Sequence, residues 1–492
     1  MRKHVCALAL LLVGLGAAGA KEVDRNELQG AGGSAVQFEN YSGPHAVIET
    51  AAAITGIGSS LGEAVALSLT TATTVQPYAK YSLIHAVSDE EDGKLDADIL
   101  LINSTATVDH IRNLRRIVTG YLQAAYGYER SDADTIATFI TVYNAVYRGQ
   151  MDTFSEKYKQ NVMQYLEPDK AGLSTNWQDW AGKTQIVIPI SDLTGGISAV
   201  DTSVISDSNV IESLRQEEDK GIEARASLTE LKEREAEDAT AKAQEAQKAA
   251  TEQRAEAKAA ATPEEKAEAR ANAEAAANVS ATEQQRADKK NMEAQTEREE
   301  ISKDKTELVR QQAEANNAHY ITGLQSTGTQ SAYSLVTLDG DTGRLIRRSP
   351  VQQIIDKTVY TLSNVSITPE DGIPVTYPSV YLTLCSVRDS KGSAKLCLID
   401  PNTLEILAES TELLTADTSV LQVNNDFYAV IRDGSGTNVG SFDKNLRLTR
   451  KSTVTVKADT PLTLTGRGIL VTDNAGNPQL LSTADLSAVW GM

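Results

Sequence analysis

The chain is poor in cysteine, histidine, aromatics and basic charge, and each shortage removes a class of explanation. Three cysteines occur in 492 residues. Cys6 falls in an apolar leader, which leaves Cys385 and Cys397. Of the five histidines, His45, His85, His110 and His319 follow that leader, and no pair of them has metal-ligand spacing. A formal net charge of −20 argues against a phosphate-backbone partner, so no nucleic acid is expected. The local cluster Arg112, Arg115 and Arg116 has helical spacing and reads as a solvated helix face. From Ile211 to Ala318 there is no Phe, Tyr or Trp at all, and a segment of that kind cannot bury a core of its own.

What is present begins with an export signal. Arg2, Lys3 and His4 precede an apolar run from Val5 to Leu15, and Ala18-Gly19-Ala20 supplies an A-x-A cleavage site. The run is well short of the ~20 apolar residues that span a bilayer. Cys6 opens that run rather than closing it, which speaks against lipidation there. The expected mature protein starts at Lys21, is exported, and has no membrane span. An exported chain with Cys385 and Cys397 on two apparent strands, Val380–Val387 and Lys395–Ile399, is expected to bridge them. Two buried free thiols on one sheet is the alternative.

Composition divides the remainder into parts, as the length demands. Residues 21–205 read as a helical α/β domain. Ile111, Leu114, Val118, Tyr121, Leu122 and Ala125 recur at helical spacing, as do Ile136, Phe139, Ile140, Tyr143 and Tyr147. Phe154, Tyr158, Val162, Tyr165 and Leu166 predict a further helix. Ser131, Asp132 and Asp134 are available to cap the second of these. Ile99–Ile102 and Gln185–Ile190 read as buried strands. Residues 206–318, rich in Ala, Glu and Lys, read as a helical, coiled-coil-like spacer through which oligomers could form. Thr262-Pro263-Glu264-Glu265 carries the marks of a helix start near the midpoint. The spacer is thus either a hairpin or a kinked rod of on the order of 150 Å for about 100 residues. The missing i,i+4 salt pairing favours the hairpin.

Residues 319–492 read as all-β. A strand, polar turn and second strand recur at Leu335–Ile346, Leu396–Ile406, Val439–Leu448 and, more faintly, Gln479–Leu486. The later copies are spaced by roughly 40 residues, the size of a four-stranded propeller blade. A propeller-like domain or an irregular sandwich is expected, so the chain as a whole is multidomain α+β.

Nothing identifies a reaction, and a non-enzymatic protein without a cofactor is expected. Thr55-Gly-Ile-Gly-Ser-Ser-Leu-Gly62 fits neither phosphate-loop pattern and reads as a flexible turn entering a helix at Glu63. Gly-x-Ser-x-Gly is absent, and Asp433-Gly-Ser-Gly436 has no local base. The acidic stretches Asp89-Glu-Glu-Asp92, Asp96 with Asp98, and Asp339 with Asp341 do not complete a calcium loop and read as solvated turns. No catalytic, cofactor or metal residue is assigned.

Several runs carry a family resemblance: Val36–His45, Ile54–Gly58, Val108–Arg116, Gly120–Tyr126, Phe139–Gly149 and Gly182–Pro189. Together they resemble the spirochaetal 83/100-kilodalton antigen family, and the order of parts matches as well. The resemblance implies an antigen of a diderm spirochaete, resident in the periplasm or envelope, without an established activity. The leading expectation is a structural or interaction protein, with an envelope protein or component as partner. A ligand-binding or adhesive role for the β domain is the alternative, and a periplasmic hydrolase with a dispersed site comes third.

Overall fold

The computed structural model describes residues 36–43, 50–89, 93–317, 319–328, 332–388, 390, 392–434 and 436–491. The leader, its cleavage site, Cys6, His45 and Glu90–Asp92 lie outside them. The chain divides into two compact units, Met1–Glu218 and Asp219–Met492.

In the first unit, β1 (Thr73–Tyr78), β2 (Tyr81–Ala86), β3 (Asp96–Ile102) and β4 (Thr184–Ile190) form one antiparallel sheet in sequence order. Both strands expected from apolar runs belong to it, β3 inside the sheet and β4 at its end. Every β4 residue is buried, as a strand covered on both faces requires. The helices are α1 (Ala51–Ala66), α2 (Ile111–Tyr126), α3 (Arg130–Val146), the short α4 (Met151–Lys157) and α5 (Gln160–Met163), then α6 (Thr202–Ile205) and α7 (Ser208–Arg215). The single helix expected through Phe154 and Leu166 is instead two. Tyr158 is extended and bridges to Leu95, so its apolar spacing served the core without helical geometry. The cap expected at the start of α3 also differs. Glu129 holds the cap position with no side-chain bond, while Asp134 accepts from Thr119 Oγ1 at 2.8 Å.

The glycine-rich run is not a turn. It lies inside α1, where Gly58 and Gly62 press on α2. A Cβ at Gly58 would stand 1.8 Å from the Ile117 carbonyl oxygen, and one at Gly62 2.6 Å from that of Tyr121. Gly120 answers from α2, where a Cβ would meet the Thr55 carbonyl at 2.1 Å. These glycines exist for close helix contact.

The second unit opens with α8 (Ile222–Ala259) and α9 (Pro263–Asn317), packed as an antiparallel hairpin. The Thr262 box forms as expected. Its Oγ1 accepts from the Glu265 backbone N at 3.2 Å, and Glu265 Oε2 accepts from the Thr262 N at 3.1 Å. The seam is alanine: Ala236, Ala243, Ala250 and Ala257 on α8, against Ala273, Ala287 and Ala294 on α9, all buried. Seven-residue spacing keeps them on one side of each helix. At 55 residues against 38, α9 outruns α8, and the excess lies on the β-rich part. Ser302 Oγ donates to the Pro374 carbonyl, Thr376 N donates to Thr306 Oγ1 at 3.1 Å, and Val309 packs into the main β core. The helices therefore belong to the β-rich unit rather than standing apart as a separable spacer, because α9 shares its core.

The β-rich part is a series of antiparallel meanders. They are β5 (Tyr320–Ser326), β6 (Tyr333–Asp339) and β7 (Leu345–Arg348); then β8 (Tyr360–Ile367), β9 (Val375–Ser386), β10 (Ser393–Ile399) and β11 (Ile406–Glu409). Next come β12 (Leu414–Thr415), β13 (Leu421–Val423), β14 (Asp426–Asp433), β15 (Gly436–Phe442) and β16 (Leu448–Thr455), and finally β17 (Thr463–Thr465), β18 (Gly468–Thr472), β19 (Pro478–Leu481) and β20 (Ala488–Gly491). The recurring motif of the sequence is the last strand pair of each meander. β12 pairs with both β10 and β14, which fuses the second and third meanders into one nine-stranded sheet. Serial blade-like meanders are the propeller-like arrangement, with two of its blades merged.

The repeated turn has a device invisible as a pattern. Leu404, Leu446 and Leu486 adopt left-handed φ of 62°, 62° and 59°, unusual for a residue with a branched side chain. Each turn is closed by the leucine's own N–H, for example Leu404 N to the Asp400 carbonyl at 2.8 Å. All three side chains are buried, in three separate apolar clusters. Burial offsets the backbone strain. In the first meander Gly343 takes the same place and contributes no anchor.

Candidate interaction surface

The titratable groups that sequence reasoning left dispersed do converge, but inside the first unit. Asp98 and Asp96 are not in a loop; both lie in β3. His85 on β2 is paired with Asp98 across the strands, its Nδ1 2.5 Å from Oδ1 and its Nε2 2.8 Å from the Leu69 carbonyl. Tyr121 and Tyr126, a turn and a half apart on α2, both donate to Asp98 Oδ2. Burial first, then the Asp98 charge, holds both phenols well above their ordinary range. Burial pushes His85 down, yet the Asp98 hydrogen bond and charge outweigh it, and its net shift is upward. His85 and Asp98 are fully buried, and every donor here is matched to an acceptor. The cluster ties sheet to helix; it has no nucleophile and no opening to solvent.

In the basic cluster Arg112 is exposed, as a solvated face requires, whereas Arg115 is drawn into the packing. Arg115 donates from Nε to Thr141 Oγ1 at 2.9 Å and lies over the Phe38 ring. Its burial lowers the guanidinium to about 10.

In the second unit, Cys385 and Cys397 are buried free thiols, which corrects the expected bridge. They occupy adjacent strands, but Cys385 stands opposite Lys395 and Cys397 opposite Thr383. A hydrogen bond with Cys385, then burial, pushes the Cys397 thiol far up, so neither is a ready nucleophile. Asp339 uses its carboxylate on its own turn, accepting from Thr342 N and Oγ1 at 2.7 Å each.

The surface that stands out is the first meander. Ile321 on β5 is opposite Leu338 on β6, and Leu338 is opposite Leu345 on β7. These three make one apolar row across the sheet, with Ile321 59% and Leu345 46% exposed. On the other face Leu324 packs toward the cysteine cluster. There Thr322, Thr337 and Arg347 line a cleft with Tyr320, Tyr381 and Asn402, of about 60 Å³. Asn316, at the end of α9, closes it by donating to Asn402 Oδ1 at 2.8 Å. That volume suits a few waters and falls far below the ~300 Å³ at which small-molecule sites begin. Sequence reasoning missed this face. Its signal was the uncharged strand Tyr320–Ser326 following directly on a highly charged helix.

None of the described helices is long and apolar enough to cross a membrane. No curated protein matches the chain. Among solved structures, the crystal structure of BamB from Moraxella catarrhalis is similar at 14% identity and a TM-score of 0.20, over 35% of this chain and 60% of that one. The family model described as "Borrelia P83/100 protein" matches residues 25–278 and 244–462. The two stretches overlap at residues 244–278, around the hairpin tip. With nearly the whole chain matched, the runs that resembled this family have their explanation, and the chain belongs to the Borrelia P83/100 protein family.

Proposed function

We propose that this is an exported envelope protein, resident in the periplasm or at the cell surface, that acts by binding another envelope protein rather than by catalysis. The observation that carries the reading is the exposed apolar row Ile321, Leu338 and Leu345 on the first meander. Exposed apolar rows of this kind on otherwise polar surfaces mark contact sites. Two further features support it. The His85–Asp98 pair, the best acid–base geometry in the first unit, is sealed from substrate. The cleft beside Tyr381 is too small for an organic ligand of ordinary size, which sets the ligand-binding alternative behind this one.

The test is retention of detergent-solubilised envelope proteins on the immobilised full-length chain. The double variant Ile321→Asp, Leu345→Asp places two charges on the row without touching a buried residue. Its circular dichroism should match that of the wild type while specific retention falls away. Equal retention by both proteins would sink the proposal.

A further inference from the structure

Among the described residues, the strands that end the sheets are guarded, with one exception. An exposed strand edge presents unpaired N–H and C=O groups to any other chain, and proteins blunt such edges with charge, proline, bulges or brevity. β7 ends its sheet with Arg347 and Arg348 and a register shift. β16 carries Arg450 and Lys451 and two shifts. β1 contains Pro77 and a shift, and β4, at the other end of that sheet, contains Pro189. β8, which ends the nine-stranded sheet, is interrupted at Asn364, whose φ is 54° and whose carbonyl accepts from Lys444 Nζ at 2.7 Å. β17 is three residues long, and β20 is four with a shift. β5 has none of these devices. Its sequence Tyr-Ile-Thr-Gly-Leu-Gln-Ser is uncharged and proline-free, and it pairs with β6 through seven consecutive residues without a shift. Among the described residues its outer edge makes no backbone hydrogen bond, and five of its seven residues are exposed.

Resting on the reading of the first meander as an interaction surface, we propose that the β5 edge pairs antiparallel with β5 of a second copy of this chain. Charge selects that occupant. A two-fold pairing sets each residue against its own mirror set, so β7 would bring Arg347 diagonal to Arg348 of the second copy, and β16 would bring Lys451 diagonal to Arg450, like charges that weaken a ladder. At a net charge of −20, two copies also repel across most approaches. The uncharged β5 edge lets them meet without a like-charge pair. Centred on its middle residue, the strand sets Gly323 against Gly323 of the partner subunit. Ile321 then faces Gln325 of the partner subunit, and Thr322 faces Leu324 of the partner subunit. Two three-stranded sheets become one six-stranded sheet, an isologous closed contact.

Gly323 is where to test it. A Cβ there meets nothing within 4 Å, and its φ is not left-handed, so a side chain is accommodated in the single copy. Sedimentation velocity of the full-length chain over a concentration series should show a monomer–dimer equilibrium. Gly323→Lys and Gly323→Glu should each raise the dissociation constant severalfold, and an equimolar mixture of the two should regain wild-type association or better. A wild type that stays monomeric, a dimer indifferent to both charges, or a mixture no stronger than its components would each overturn the proposal. If the dimer fails while Ile321→Asp, Leu345→Asp still abolishes retention of envelope proteins, the interaction reading survives and the second copy is the wrong occupant.

Discussion

Two helix pairs in this protein meet through small residues, and they do so for opposite reasons. Where α1 crosses α2, Gly58, Gly62 and Gly120 have no side chain because the opposing backbone occupies that space. Where α8 runs along α9, Ala236, Ala243, Ala250 and Ala257 have a methyl because the methyl is the packing. The first contact is a single close crossing inside an aromatic-rich core. The second is a long alanine seam whose large buried side chains, Leu228, Leu231 and Ile301, lie near its base, so burial along the rest is slight. The base of the hairpin makes up the difference with charge. Arg225, fully buried, donates from Nε to Glu297 and from Nη1 to Asp304, both at 2.6 Å. Lys232 pairs with Glu293 and Lys290 with Glu235, both at 2.8 Å. Burial lowers the Lys232 ammonium even so, a measure of how dry that base is. Small residues thus allow either backbone intimacy or a slender rod, and only the second needs ionic reinforcement.

The largest expected effect follows from that reinforcement. Arg225→Ala removes the guanidinium that Glu297 and Asp304 share, and breaking a buried ion pair from one side costs about 3–5 kcal/mol. Urea titration of the full chain, followed by helicity, should show the hairpin lost first. If Arg225→Ala is neutral, charge does not hold the base. At the glycine crossing, Gly58→Ala should cost about 1–3 kcal/mol, the usual range for overpacking, although the same change in an exposed helix would stabilise by up to ~1 kcal/mol. The sign of that change in thermal denaturation discriminates close approach from mere helix propensity. At the hairpin tip Thr262→Ala removes the exposed cap and should cost about 1 kcal/mol, confined to local hydrogen exchange around Ala261.

The two contacts should also differ in their response to pH. His85 lies behind α2 in the first unit, and its folded-state value is raised. The stability it contributes is therefore complete below its unfolded value of about 6.5, and is lost as pH rises through the folded value. The Tm difference between the wild type and His85→Gln should be widest in mild acid and narrow as pH increases. A gap that is constant with pH would refute a protonation-linked contribution. The smallest effect concerns the thiols. Cys385 and Cys397 should both react with a thiol reagent in denaturant, and neither should react in the native protein; a non-reduced peptide joining them would show a bridge in place of the free thiols.

Much of this was legible along the chain because local chemistry is written locally. The Thr262 capping box needs only four neighbouring residues. The strands at Ile99–Ile102 and Gln185–Ile190 needed only apolar runs, and the α2 and α3 faces only their 3.6-residue period. The recurring strand–turn–strand motif marked the last pair of each meander. Where sequence reasoning failed, the deciding partner was far away. The α1 glycines look like a loop until Ile117 and Tyr121 arrive from α2. Asp98 looks like an acidic turn until His85, Tyr121 and Tyr126 surround it. The hairpin seam looks absent because alanine carries little hydropathy signal, although its spacing is regular. Composition and period thus determined the order of parts and most elements, since those depend on neighbours in the chain. Tertiary structure alone decided which glycines touch, which charges are buried and which strand edge is left bare, since those depend on atoms that the sequence keeps tens or hundreds of residues apart.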